Sequence, residues 1–154
     1  MKQIFHEIIL NTKGSGLYDF TDHTKTFVKK KNLMNGILNI NILHTSASLT
    51  IQENADPDVL YDLNNFFKKL VPMNNKLYKH TTEGEDDMPA HIKAALTNSH
   101  LTLSIKNSEI ILGTWQGLYL FEHRLENQTR KISQFLYRNK HKCVCGVISK
   151  YFYR

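Results

Sequence analysis

Residues 101–137, LTLSIKNSEIILGTWQGLYLFEHRLENQTRKISQFLY, decide the fold. Four extended runs follow one another here, LTLSI (101–105), EIILG (109–113), GLYLFEH (117–123) and RKISQFLY (130–137), each rich in β-branched, aromatic or leucine side chains and parted by turn residues. The fourth is expected to pair with the third. Upstream, MPAHIKAALT (88–97) reads as a helix with Asp86 or Asp87 as its cap and Pro89 in its first turn. DPDVLYDLNNFFKKL (56–70) reads as another. Asp56 caps it, acids precede lysines along the dipole, and Val59, Leu60, Leu63, Phe66, Phe67 and Leu70 form its apolar face. Between the two lies a polar loop, 71–86. TDHTKTFVKKKNL (21–33) is a third helix, capped by Thr21 or Asp22 and broken by Asn35-Gly36, with Phe20, Phe27 and Val28 on its buried side. The remaining strands are QIFHEIIL (3–10), closed by the KGSG turn, GILNINIL (36–43) and LTIQ (49–52). Strands gathered around helices in this order imply an α+β fold, with helices packed on one side of a largely antiparallel sheet.

A chain of 154 residues fits one domain that buries roughly 70% of its unfolded surface. Residues 1–137 form that domain, and 138–154 form a basic C-terminal extension. Hydrophobic content of 41% and charged content of 22% are those of a globular protein in water. No apolar run reaches the roughly 20 residues of a membrane span. MKQIFHEIIL carries Glu7 and alternates, so it is not read as a signal peptide, and the expected compartment is the cytoplasm. Cys143 and Cys145 are read as free thiols in a reducing environment. The net charge of +6 suggests nucleic acid, but its placement argues against it. Seven Lys/Arg and no acid fall in 129–154, which leaves 13 basic against 14 acidic residues in the body. Binding through the tail, where Tyr151, Phe152 and Tyr153 lie near Lys150 and Arg154, remains a third reading.

Three histidines stand in polar, turn-prone phrases beside hydrophobic runs. His44 opens a hydroxyl series of Thr45, Ser46, Ser48 and Thr50, which can hold phosphate oxygens or can be an ordinary Ser/Thr-rich strand edge. Glu53 and Asn54 follow, just before the Asp56 cap, and Glu53 can accept a proton or orient a histidine. His91 lies one helical turn after Asp87, so imidazole and carboxylate share a face, as a divalent-metal ligand or a tuned base requires. Lys93 points elsewhere on that helix and reads as exposed. Thr114 and Gln116 flank the single Trp115 in a turn where they can meet a polar ligand, and His123-Arg124 closes the next strand with a guanidinium suited to phosphate or carboxylate. His6, His23, His100 and His141 read as structural or solvated. None of the spacings matches HExxH, a P-loop or a dinucleotide fingerprint, and Cys-x-Cys alone does not make zinc.

Taken together, HTSASLTIQENADPDV (44–59), HTTEGEDDMPAHIKAAL (80–96) and LGTWQGLYLFEHR (112–124) resemble the signature blocks of the YjbQ-like family, over about residues 3–136. The resemblance implies a sheet curled into a half-barrel and a homotrimer. It also implies His44, His91 and His123 as the family's histidines, expected to bind a divalent metal ion (Zn or Mg), and Thr114 to Gly117 as its TWQG turn. An activity linked to some members is a thiamine-phosphate synthase reaction. A hydroxymethylpyrimidine diphosphate alkylates a thiazole phosphate and pyrophosphate leaves. On this expectation His44, Glu53, His91 and His123 are catalytic, while Thr45, Ser46, Ser48, Asn54, Asp87, Thr114, Gln116 and Arg124 bind the ligand. The alternative is a non-catalytic metal- or phosphate-ligand-binding trimer. Ser46 stands where Thr is common in the family, and the extension has no counterpart there.

Overall fold

Alternation of apolar and polar residues gives this chain two sheets. The computed structural model describes residues 2–138; the rest of the basic extension, with Cys143 and Cys145, lies outside the described residues. Five strands, β1 (Lys2–Lys13), β8 (Asn127–Arg138), β3 (Asn35–Ile42), β5 (His100–Lys106) and β6 (Glu109–Ile110), form an antiparallel sheet in that spatial order, curled into a half-barrel. A smaller sheet has the order β2 (Gly16–Asp19), β7 (Gln116–Glu122), β4 (Ala47–Glu53). Three helices complete an α+β fold: α1 (Thr21–Lys31), α2 (Pro57–Leu70) and α3 (Asp87–Leu96).

The period of two fixes which side chains point inward. Leu38, Ile40 and Ile42 of β3, Leu101, Leu103 and Ile105 of β5, and Ile132 and Leu136 of β8 are buried. Their alternates Asn39 and Thr102 face outward and hydrogen-bond across the ladder at 3.1 Å. Leu49, Leu118 and Leu120 of the smaller sheet join this core, as do Phe27 and Val28 of α1. Each of these side chains contributes about 1.5–3 kcal/mol when fully buried. Gly117–Glu122 of β7 is buried at every residue: the strand is central in its sheet, Leu118 and Leu120 join the core, and Phe67 of α2 packs edge-on to Phe121 at 5.4 Å.

Several expectations need correction. The last strand pairs with β1 and β3 and not with β7, which lies in the other sheet. Residues 16–19 form a strand that no apolar run announces, and the strand expected at 109–113 shrinks to two residues. In α1, Phe20 holds the cap position, and the Asp19 carboxylate takes the Thr21 N–H at 2.7 Å; the helix ends at Asn32 in left-handed geometry, before Asn35-Gly36. Asp56 caps α2 as expected, accepting the Asp58 N–H at 2.9 Å. The apolar face of that helix is only part-covered, with Phe66 58% and Leu70 52% exposed.

Candidate functional site

Asp87 sits in the first turn of α3, and His91 lies four residues on, so both project from one helix face. The 80–86 loop returns His80 to the same point. The His80 Nε2 is 2.7 Å and the His91 Nε2 3.5 Å from one oxygen of Asp87, Oδ2. Among the described residues these three are the group whose possible ligand atoms all lie within 4.8 Å of one another. In a tetrahedral site with bonds of about 2.0–2.1 Å, ligand atoms stand about 3.3 Å apart, a spacing that the two observed distances bracket. The surroundings suit that use. The His91 Nδ1–H donates to the Thr45 carbonyl at 3.0 Å, which leaves its Nε2 lone pair facing Asp87. Asp87 is buried while both rings reach solvent.

Arg124 holds the acids in place. Its Nε donates to Asp86 Oδ2 at 3.0 Å, its Nη1 to Asp87 Oδ1, and its Nη2 to the Glu83 carbonyl at 2.7 Å. Asp86 therefore occupies the cap position of α3 without capping it. Its carboxylate faces Arg124 and the Leu125 N–H, 2.8 Å away. Burial alone would raise the Asp86 carboxyl, but the Leu125 N–H and Arg124 outweigh that and hold it below the ordinary aspartate value.

Behind this group lies a buried polar layer. The His123 Nε2 is 2.9 Å from Ser48 Oγ, and its Nδ1 is buried without a partner. Burial, with Lys93 and Arg130 nearby, pulls the ring down to about 3, so His123 is neutral at pH 7. Lys93, expected at the surface, is only 2% exposed; α3 packs it inward, and burial followed by Lys68 lowers its pKa, partly opposed by Asp86. The His44 Nε2 accepts the Lys131 N–H at 2.9 Å, so the neutral ring carries its proton on Nδ1. Burial first, then Arg130, lowers its pKa. Glu122, wholly buried, pairs with Arg130 at 2.6 and 2.7 Å and accepts the backbone N–H groups of His123 and Arg124.

The residues singled out from sequence thus divide into two groups. His44, Thr45, Ser46, Ser48, Asp87, His91, His123 and Arg124 gather at one end of the β4–β7 ladder, where Ala47 faces Glu122. At that end Thr45 and Ser46 accept through their carbonyls, from His91 and Arg130. Glu53, Asn54, Thr114 and Gln116 gather at the other end, where Glu53 faces Gln116. Six residues of extended chain separate the two ends, about 20 Å. His44 and His123 stand outside the His80–Asp87–His91 group. Sequence reading assigned no site role to His80, Asp86, Lys93, Glu122 or Arg130. The acid-rich phrase around His80 was the one visible signal, and only the fold brings Glu122 to Arg130.

Comparison with known proteins agrees with this architecture. A family model described as "UPF0047 protein YjbQ-like" matches residues 6–138. The UPF0047 protein sll1880 of Synechocystis is 46% identical over 125 residues, covering 81% of this chain and 85% of that protein. The UPF0047 protein YjbQ of Salmonella typhimurium is 43% identical over 126 residues, 81% of this chain and 91% of its own. A crystal structure of an uncharacterised YjbQ/UPF0047-family protein from Clostridium acetobutylicum superposes with TM-score 0.79 at 35% identity, covering 86% of this chain and 99% of the other.

Proposed function

We propose that this chain, which belongs to the UPF0047 YjbQ-like family, is a metal-dependent enzyme acting on a small phosphorylated molecule. The observation that carries the proposal is the meeting of His80, Asp87 and His91 with the His91 tautomer already fixed by Thr45. Two imidazoles and one carboxylate suit zinc or a similar transition metal better than magnesium, which prefers an all-oxygen shell. His80 and His91 would hold it through Nε2 and Asp87 through Oδ2, while Arg124 orients Asp87 from its other oxygen. When bound, the cation supplies Lewis-acid charge to the oxygens of a departing phosphate or diphosphate. The exposed Thr45 side chain stands beside this group and is available to a ligand. Thiamine-phosphate synthesis is the candidate reaction, since its departing pyrophosphate needs such charge.

The protein is proposed to act in the cytoplasm as a homotrimer. No helix among the described residues is long and apolar enough to cross a membrane. Exposed Phe5, Ile9 and Phe66 offer apolar surface for subunit contact. Light scattering on the purified chain gives the subunit number.

The test combines metal analysis with turnover. Wild type is expected to retain close to one zinc per chain and to release pyrophosphate from the pyrimidine diphosphate and thiazole phosphate pair. His91→Ala is expected to lose both while keeping its circular dichroism spectrum. Equal metal content in the two proteins sinks the metal assignment. Bound metal without turnover leaves a metal-binding protein without this activity.

A further inference from the structure

The far end of the β4–β7 ladder holds a cavity of about 460 Å3, within the range of small-molecule sites. Its chemistry differs from that of the metal-type cluster. Its lining includes Lys25 and Lys29 of α1, four residues and so one helical turn apart. Asn54 and Thr114 line the same cavity, and Ile110 and Leu112 are its apolar members. Glu109 is the single acid of the lining, and neither lysine forms an ion pair with a described residue. Like charges one turn apart repel each other, and the lining sets one acid, Glu109, against the two lysines. The turn is built to hold its shape. Gln116 Oε1 accepts the Gly113 N–H at 2.7 Å, and the Asn54 N–H donates to the Trp115 carbonyl at 2.9 Å. Another hollow of about 450 Å3, around His6 and Phe27, is more open.

We propose that this cavity is a second ligand site, for a small organic phosphate whose phosphoryl group sits between Lys25 and Lys29 and whose apolar body rests on Ile110 and Leu112. It lies at the opposite end of the β4–β7 ladder, about 20 Å of extended strand, from the end that carries the metal-type cluster, and binds without that cluster's metal. Two ammonium groups match a phosphate dianion, and Thr114 and Asn54 of the same lining supply a hydroxyl and an amide for its remaining hydrogen bonds. Trp115 is the only tryptophan of the chain, 63% exposed and flanked by Thr114 and Gln116 of the lining, so its emission reports on this cavity.

The experiment titrates phenyl phosphate and inorganic phosphate into the full chain in EDTA, by calorimetry and by Trp115 emission. Both probes are expected to bind saturably, phenyl phosphate at least threefold tighter. Lys25→Gln/Lys29→Gln is expected to weaken both at least tenfold, and His91→Ala to bind as wild type does. No saturable heat from either probe, or a double variant within twofold of wild type, overturns the proposal. Loss of binding in His91→Ala also overturns it, because the probes would then occupy the metal-type cluster.

Discussion

Replacing Glu122 by glutamine tests whether the buried Glu122–Arg130 pair holds the site end of the molecule together. The carboxylate accepts from five donors: Arg130 Nε at 2.7 Å and Nη2 at 2.6 Å, Thr12 Oγ1 at 3.0 Å, and the N–H groups of His123 at 3.0 Å and Arg124 at 2.9 Å. Glutamine keeps the shape but turns one acceptor into an NH2 donor. At the Oε1 position that NH2 would face three donors. At Oε2 it faces two, of which Thr12 can rotate to accept but Arg130 Nε cannot. The second orientation is therefore favoured, and it leaves the Arg130 charge, 3% exposed, without a counter-ion. Removing one partner of such a pair costs about 3–5 kcal/mol. At about 2–4 °C per kcal/mol for a chain of this size, Tm falls by roughly 6–20 °C. Urea denaturation followed by circular dichroism should show a lower midpoint at unchanged slope. Glu122→Gln/Arg130→Met should lose less than the sum of the two single changes. A Glu122→Gln protein within about 1 kcal/mol of wild type refutes the reasoning, since the pair would then be a bystander.

Two more outcomes follow from the same geometry. His123 is held down to about 3 in the folded state against 6.5 when free, so between these values the unfolded chain binds more protons than the folded one. Its contribution to stability is therefore complete above pH 6.5 and is lost on acidification towards pH 3, with a slope approaching 1.4 kcal/mol per pH unit. His123→Gln should flatten urea-midpoint-versus-pH curves across that window, and an unchanged curve would mean that the ring is not buried neutral. Gly36→Ala places a Cβ against the Tyr137 carbonyl of the neighbouring strand, which should cost about 1–3 kcal/mol; a thermal midpoint equal to that of wild type would mean that β3 and β8 are not this close.

Much of this architecture is written in local pattern. Periodicity of 3.6 and the Asp56-Pro57 start were enough for α2, and strict alternation was enough for β3 and β5. Pairing was not legible in the same way. β8 carries Arg130 and Gln134 at inward positions, and their burial makes sense only once Glu122 and Thr24 are known to meet them. β2 was missed because GLYD gains its strand character from pairing with β7. Spacing alone brought Asp87 and His91 together, since one helix holds both. His80 joins them through an irregular loop, with Gly84 at φ 113°, and no period encodes such a path. Lys93 was misjudged because a lysine pointing away from Asp87 and His91 on its helix reads as solvated until the helix is docked.

The pairing of Lys2 with Arg138 joins the two ends of the described chain along a shared ladder that runs to Lys13 and Asn127. Every residue from 14 to 126 must leave the ribosome before β1 can meet its partner. At about 5–20 residues per second that delay is on the order of ten seconds. For that time Phe5, Ile8 and Ile9 are presented to the cell on an unpaired strand, an invitation to chaperones or to another nascent copy. Chains stalled before residue 127 should leave β1 open to protease, and early protection there would mean that β1 finds other cover. On this view β8, slotting between β1 and β3, completes the five-stranded sheet, and its birth is governed by timing as much as by stability.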